Sequence, residues 1–302
     1  VFLTGTEMVT EVKTVQSIEE TILSNDCRGI SALQPYLSPH YCTEAAQFIL
    51  DRRQSSRKTV LITTGFYIPS AAAPETDGPP GAIALAQALE RLGFEPVFVT
   101  DVFCAPLLSL NGQRNPRIIE FPITDHASSR LFAQRLLDQL KPALIISIER
   151  CGFASGYRYF NMRGRDISEF TAKVDYLFLG QENTIGIGDG GNEIGMGNYA
   201  EKIKMMRSLP LDPARTPVNK LVIASVSNWG GYGLIAALSR LSQTDLLPTV
   251  QWEHDMLAGL IAHGAVDGVT GEKKCSVDSL DASVNSRVLA RLKSEISQSY
   301  SA

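Results

Sequence analysis

Short continuous runs of Val, Ile, Leu and Phe, alternating with longer helical stretches, constrain this chain more than any other feature. The runs are TVLITTG (59–65), EPVFVTD (95–101), RIIEFP (117–122), ALIISIE (143–149), DYLFLG (175–180), NTIGIG (183–188) and LVIASVS (221–227). Between them, GAIALAQALERLG (81–93), SSRLFAQRLLDQL (128–140) and GGYGLIAALSRLS (230–242) carry apolar residues at helical spacing. A strand that is apolar at nearly every position is buried on both faces, as in a parallel sheet covered by crossover helices. The predicted fold is therefore α/β: three-layer, Rossmann-like, a largely parallel sheet with helices on both faces. Ahead of it, SIEETILSND (17–26) and SPHYCTEAAQFILDRR (38–53) read as helices, with Ser38 as an N-cap and Pro39 at the first helical position. The polar stretch RRQSSRK (52–58) then divides a helical segment, residues 1–57, packed on the main domain, from an α/β domain, residues 58–302. After Gly264 the chain is polar until a last predicted helix at 279–298.

Charge narrows the partners. With 28 basic and 32 acidic residues, a net of −4, the chain has no electrostatic footprint for nucleic acid and no basic run for an anionic membrane. No apolar run approaches the roughly 20 residues that span a bilayer. The opening VFLTGTEMVTEVK has neither the layout of a secretory signal nor the Arg-rich character of a transit peptide. The five cysteines (Cys27, Cys42, Cys104, Cys151, Cys275) form no CxxC, which points to reduced thiols. The expectation is a soluble cytoplasmic protein, or a mitochondrial-matrix one if eukaryotic, with a homo-oligomer allowed.

In open α/β sheets ligands bind beyond the carboxyl ends of the strands. Here those ends carry Thr63-Thr64-Gly65, Thr100-Asp101, Glu149-Arg150, Gly188-Asp189-Gly190-Gly191 and Ser227-Asn228. The densest motif is IGIGDGGNEIGMG (185–197), whose glycines let backbone N–H groups approach an anion closely. Asp189, Glu193 and Glu182 suit an ammonium group or a hard divalent cation, which takes oxygen ligands. In the bland alternative Asp189 is a turn residue and Glu193 a solvated charge at a helix start. The same loop contains G-x-G-x-x-G at Gly186, Gly188 and Gly191, but Asp189 would set a carboxylate beside a diphosphate, and no nucleotide is expected. Glu75, Asp77 and Gly78 lie in PETDGPPGAIALAQAL (74–89), where Gly81 opens a helix. The long connection at 147–175 supplies Glu149, Arg150, Arg158, Arg163, Arg165 and Asp166. Connections of this length are usually functional or disordered, and arginine's fork suits carboxylates. The histidines (His40, His126, His254, His263) show no HExxH spacing, Cys151 is no better placed as a nucleophile than as a buried thiol, and Ser227 lacks the G-x-S-x-G elbow.

Three motifs in order, ETDGPPGA (75–82), ERCG followed by NMRGRDIS (149–152, 161–168) and GIGDGGNEIGMG (186–197), give the chain a specific likeness over roughly residues 58–300. It resembles the C-terminal domain of the D-glutamate cyclase family. Longer members carry a preceding region similar to a hydro-lyase domain, which these 302 residues do not include. The resemblance implies a carbon–oxygen hydro-lyase that turns D-glutamate into 5-oxo-D-proline and water, with a divalent cation, Mg²⁺ or Mn²⁺, allowed. The expected catalytic carboxylates are Asp189, Glu193 and Glu149, the first two also metal ligands. The expected contacts to the small amino-acid substrate are Thr64, Gly65, Asp77, Gly78, Arg150, Arg163, Gly190, Gly191, Asn192 and Asn228. A binding domain without turnover, and more remotely a dinucleotide-dependent oxidoreductase, are the competing readings.

Overall fold

The computed structural model describes residues 17–110 and 116–299; the first sixteen residues of the predicted helical segment lie outside the described residues. Six strands form one parallel sheet: β1 (Thr59–Thr64), β2 (Glu95–Thr100), β3 (Ile118–Glu120), β4 (Leu144–Ile148), β5 (Thr184–Gly188) and β6 (Lys220–Ile223). Their spatial order is β3-β2-β1-β4-β5-β6. The chain first winds outward from β1 to β3, then returns to β4 and winds the other way. Loops leaving the carboxyl ends of β1 and β4 therefore diverge, and a crevice opens between them.

Alternate side chains of β1, β2 and β4 serve two cores. Val60 and Ile62 of β1, Ile146 of β4 and Ile187 of β5 face a core shared with α1 (Ile18–Ile22), α2 (Tyr41–Leu50), α3 (Pro79–Arg91), α5 (Ser227–Ser242), α6 (Val250–Ala262) and α7 (Ala282–Ser299). Leu61, Val97, Val99 and Ile145 face the opposite core, closed by Ala133 and Leu136 of α4 (His126–Leu140). Burying each such aliphatic side chain contributes about 1.5–3 kcal/mol, so the two-sided apolar pattern is what holds the three layers together. Residues Ile18, Ile22, Ala45 and Ile49 share the first core with α5, so the helices before residue 57 pack directly on the α/β layers. No helix among the described residues is long and apolar enough to cross a membrane.

Two local expectations change. DYLFLG (175–180) is not a strand; Val174–Leu177 is a 3₁₀ turn, and the Phe178 N–H donates to the Asp175 carbonyl at 2.8 Å. Consecutive residues Tyr176, Leu177 and Phe178 all enter one core, which the alternation of a strand forbids. Buried Asp175 locks this turn by accepting the Phe153 N–H at 3.1 Å, the Tyr159 hydroxyl at 2.6 Å and the Thr216 hydroxyl. The second change is at α2, which starts at Tyr41 with His40 as its N-cap residue and no side-chain cap. Ser38 accepts the His40 N–H at 3.3 Å instead, a serine turn ahead of the helix.

Close backbone contact places the crevice. A Cβ on Gly231 of α5 would sit 3.1 Å from the Gly81 Cα of α3, and one on Gly230 2.5 Å from the Ile187 side chain. Only glycine lets α5 settle against both α3 and the sheet, and this brings the N-termini of α3 and α5 together beside β4.

Candidate active site

Asp77 and Asn228 join those two N-termini. The Asp77 carboxylate accepts the N–H groups of Ser227 at 2.9 Å, Asn228 at 2.8 Å and Gly78 at 2.9 Å. Asn228 Oδ1 in turn accepts the N–H groups of Gly78 at 3.0 Å and Gly81 at 2.9 Å, while its Nδ2 donates to the Thr76 carbonyl at 3.2 Å. Each side chain satisfies the unpaired first-turn amides of the other's helix. Asp77, Gly78 and Asn228, expected as ligand contacts, thus form a reciprocal cap that fixes the floor of the crevice.

The glycine loop after β5 folds around its own anion. Glu193 Oε1 accepts the Gly190 N–H at 2.7 Å and the Asp189 N–H at 3.3 Å, and Oε2 accepts the Gly191 N–H at 2.7 Å. Amides expected to meet a ligand carboxylate or a diphosphate are taken by this buried carboxylate. A Cβ on Gly190 would lie 2.6 Å from Met162 Sδ and 2.9 Å from Glu193 Oε1. Gly191, at φ 93, supplies the left-handed turn. The G-x-G-x-x-G begins inside the fifth strand and leads into a 3₁₀ turn at Met196–Tyr199, whereas a pyrophosphate is cradled after a first strand and at a helix N-terminus.

Around this loop the fold gathers Glu75, Asp77, Glu149, Asp189, Glu193 and Asp278, all buried. Glu149 leaves the end of β4 in the left-handed region, at φ 44, and accepts the Ser227 hydroxyl at 2.5 Å. The Arg28 guanidinium bridges Asp189 and Asp278. Burial raises the Glu149 carboxyl well above its ordinary range, and Glu193, Asp77 and Glu75 push it further. Burial likewise raises Glu75, with Asp278 and Asp77 adding to it. Asp77 is pushed up to about 7, by burial first and by Asp278. Burial also raises Asp189, the Arg28 guanidinium acts against this, and Glu149 adds to it. Carboxyls packed this closely out of water cannot all ionise together, so at neutral pH the cluster holds protons as well as charges.

Asp77, Asp189 and Asp278 offer oxygens within 4.8 Å of one another, and so do Glu149, Asp189 and Glu193. Asp189 belongs to both groups. Its Oδ2 and the Oδ2 of Asp278 are buried without a hydrogen-bond partner. Hard oxygen donors with unused lone pairs fit a divalent cation.

A cavity of about 170 Å³ opens onto this cluster. Its wall includes Arg28, Glu75, Glu149, Arg163, Asn192 and the Gly268–Gly271 segment. Of the expected site residues, Glu149, Arg163 and Asn192 reach this wall. Arg163 Nη2 donates to the Val269 carbonyl at 3.0 Å, and Asn192 Nδ2 to the Phe160 carbonyl at 3.0 Å, leaving its buried Oδ1 without a partner. Asp189, Glu193, Gly190 and Gly191 lie behind it. Thr64 and Gly65 end β1, where a Cβ on Gly78 would meet Thr64 Oγ1 at 2.6 Å and Gly65, at φ 104, donates to the Glu149 carbonyl at 3.2 Å. Arg150 points elsewhere: its guanidinium pairs with Asp101 at 2.6 Å and donates to the carbonyls of Gly65 at 2.8 Å and Ala172 at 3.1 Å. It ties the ends of β1, β2 and β4 and does not line the cavity. Glu182 sits before β5, at the opposite end of the sheet, and Asp166 pairs with Arg158 at the surface. Cys151 is buried and its thiol is raised well above the usual range by burial, the opposite of an activated nucleophile.

Sequence reasoning passed over Arg28, Asp267 and Asp278. Arg28 lies in the helical segment and Asp278 in the polar stretch after Gly264, and neither sits in a motif. One trace was present: Asp267 and Asp278 flank the short TGEKKCS stretch (270–276) in a region that the helix and strand patterns leave unassigned.

Fold and site together define a class: a doubly wound α/β protein with a small acidic crevice, edged by two arginines, at its switch point. The sequence model of the family described as "D-glutamate cyclase-like, C-terminal" matches residues 18–293, and the chain belongs to that family. The match begins about forty residues before the region, roughly 58–300, over which the motifs carried the likeness, so it takes in the N-terminal helices and Arg28. The chain is similar to human "D-glutamate cyclase, mitochondrial", 32% identical over 268 residues that cover 75% of this chain and 44% of the human protein. It thus spans less than half the length of that relative.

Proposed function

We propose that the protein is a lyase that cyclises D-glutamate to 5-oxo-D-proline and water. The observation that carries the reading is the cavity wall: two buried carboxyls, Glu75 and Glu149, beside two arginines, Arg28 and Arg163, in a chain of this family. A substrate with two carboxylates and one ammonium matches that wall in charge and in hydrogen-bonding type.

Ring closure forms a bond from the α-nitrogen to the γ-carboxyl carbon and breaks a carbon–oxygen bond there. Two protons leave the nitrogen and two arrive on the departing oxygen, which leaves as water. Glu149, its carboxyl raised by burial and by its acidic neighbours, donates one proton to the γ-carboxyl oxygen, takes one from the nitrogen, and passes that second proton to the oxygen as water leaves. Glu75 takes the other nitrogen proton and returns it to Glu149, which resets the pair. Arg163 and Arg28 offset the substrate's negative charge, and Ser227 holds Glu149 through its 2.5 Å hydrogen bond. Asp189, with Glu149 and Glu193 or with Asp77 and Asp278, would hold a divalent cation such as Mg²⁺ or Mn²⁺, whose charge would polarise a ligand carboxylate. The reaction belongs in the cytoplasm or the mitochondrial matrix.

Incubation with D- and L-glutamate, with and without Mg²⁺ or Mn²⁺, followed by chiral detection of 5-oxoproline, tests this. The expected result is 5-oxo-D-proline from the D enantiomer. Saturable binding of D-glutamate without product would leave a binding domain, and neither binding nor product would end the proposal. Asp189→Asn separates a site carboxylate from a turn residue: the proposal expects turnover to fall by about 2 kcal/mol or more in transition-state stabilisation. A mere turn residue would keep turnover near wild type.

A further inference from the structure

Among the described residues, Arg28 is the one cavity-wall cation that comes from the helical segment before β1, and its placement is over-determined. Asp26 accepts the N–H groups of Arg28 at 3.1 Å, Gly29 at 2.7 Å, Ile30 at 3.3 Å and Ser31 at 2.8 Å, which fixes the arm that carries it. That arm is tied to the sheet by the Ser225 N–H to the Ile22 carbonyl at 2.9 Å, and by the Tyr41 hydroxyl to the Ile223 carbonyl at 2.7 Å. Nη1 meets Asp189 and Nη2 meets Asp278, so each terminal nitrogen keeps a second N–H, and Nε–H has no partner among the described residues. The side chains of Asp189 and Asp278 are 0% and 5% exposed, whereas Arg28 retains 18% and forms part of the cavity wall. Buried acids hold Nη1 and Nη2, and the same side chain forms part of the wall of the space a ligand would fill.

We infer that Arg28 is a specificity-determining residue that binds a ligand carboxylate in this cavity, with Asp189 and Asp278 acting as its positioning braces. The inference rests on the reading of the crevice as an amino-acid site. A fork held from behind meets a carboxylate through two parallel N–H donors at little ordering cost. The ammonium of the same ligand faces Glu149, Glu75 and the unpaired Oδ1 of Asn192.

The test is calorimetric titration of wild type, Arg28→Lys and Arg28→Gln with four probes. These are D-glutamate, glutarate, 4-aminobutanoate, which lacks the α-carboxylate, and D-2-aminobutanoate, which lacks the γ-carboxylate. Both variants are expected to weaken D-glutamate by roughly tenfold or more, as for a lost charged hydrogen bond. They should leave nearly unchanged whichever single-carboxylate probe lacks the group that Arg28 reads. Equal weakening of all four probes, or of none, would overturn the inference and return Arg28 to a purely internal ion pair. If the variants do not fold, wild type decides alone: phenylglyoxal modification of Arg28, followed by mass spectrometry, should be blocked by D-glutamate. Unblocked modification at saturating D-glutamate counts against the proposal. Tight binding of D-glutamate without 5-oxoproline removes the lyase reading and leaves Arg28 to be judged by the same titrations. Binding of none of the four probes ends both.

Discussion

Two loops enclose the crevice and are built on one device with opposite outcomes. In the glycine loop after β5, the backbone wraps the Glu193 carboxylate, taking up the amides of residues 189–191. In the 265–281 loop, Asp267 plays the same part, accepting the N–H groups of Val269 at 3.0 Å, Thr270 at 2.8 Å and Ser279 at 2.8 Å, and the Ser276 hydroxyl at 2.7 Å. The first loop is dense with motif and turns its amides inward. The second has no motif, yet its tip forms cavity wall and its end supplies Asp278. Glycine density therefore marks where the backbone needs room to close on itself, and the cavity lies beside it.

The strongest way to break this contrast is Gly186→Ala. A Cβ there would lie 2.6 Å from the Ile194 carbonyl oxygen and 2.9 Å from the Gly195 Cα, so backbone must move. The expected loss is about 3 kcal/mol of stability, typical of overpacking, read as a lowered midpoint in urea unfolding with unchanged slope. A midpoint near wild type would mean that the loop is looser than its contacts indicate.

Glu193→Gln comes next. A neutral amide cannot accept on both sides, and its NH₂ would face the Gly191 N–H, so roughly 2 kcal/mol should be lost, with binding and melting temperature falling together. Full stability with binding alone abolished would instead make Glu193 a ligand group.

Gly268→Ala sharpens the other side. Its Cβ would collide with Glu75 Oε2, the end of a side chain that can swing, so the fold should survive while Glu75 is displaced in the cavity. If the proposed cyclisation holds, its turnover is expected to drop about tenfold, near 1.4 kcal/mol, with little change in melting temperature. Equal loss of both would assign the 265–281 loop to structure alone.

The smallest effect is a difference in the sign of a pH slope. Hydrogen bonds from Ser276, Thr270, Ser279 and Val269 outweigh burial and hold Asp267 below its ordinary value of 3.8. A carboxyl depressed in the folded state adds stability above the unfolded pKa, and that stability is lost as pH falls through the folded one. Asp267→Asn should therefore flatten the acid side of the stability profile below about pH 4. Glu75 and Glu149 are raised, so their share runs the other way and stability falls as pH climbs past the ordinary glutamate value of 4.5. Glu75→Gln should shrink that decline, and an unchanged profile in thermal melts across pH 4–8 would contradict the burial assigned to it.

What the sequence by itself determined is the layered sheet and the end of it that matters. Val60, Leu61 and Ile62 in a row demand burial on two faces, and the polar residues after each run mark the carboxyl ends where the crevice opens. The glycines at 81 and 186 are visible in the sequence, where they read as a helix start and as room for an anion; the fold shows that they make room for the Asn228 backbone and for the Ile194–Gly195 backbone. DYLFLG misled because an apolar run says that residues are buried without saying on how many sides. Only the tertiary structure decided which carboxylates line the cavity. Arg28 meets Asp189 across 161 residues and Asp278 across 250, and neither pairing has a local signature. Asp77 and Glu193 look like free acids in the sequence, yet each is committed to backbone amides that only folding brings within reach. A carboxyl's charge and role depend on burial and on neighbouring charges, and both arise when distant segments converge, so they cannot be read from spacing along the chain.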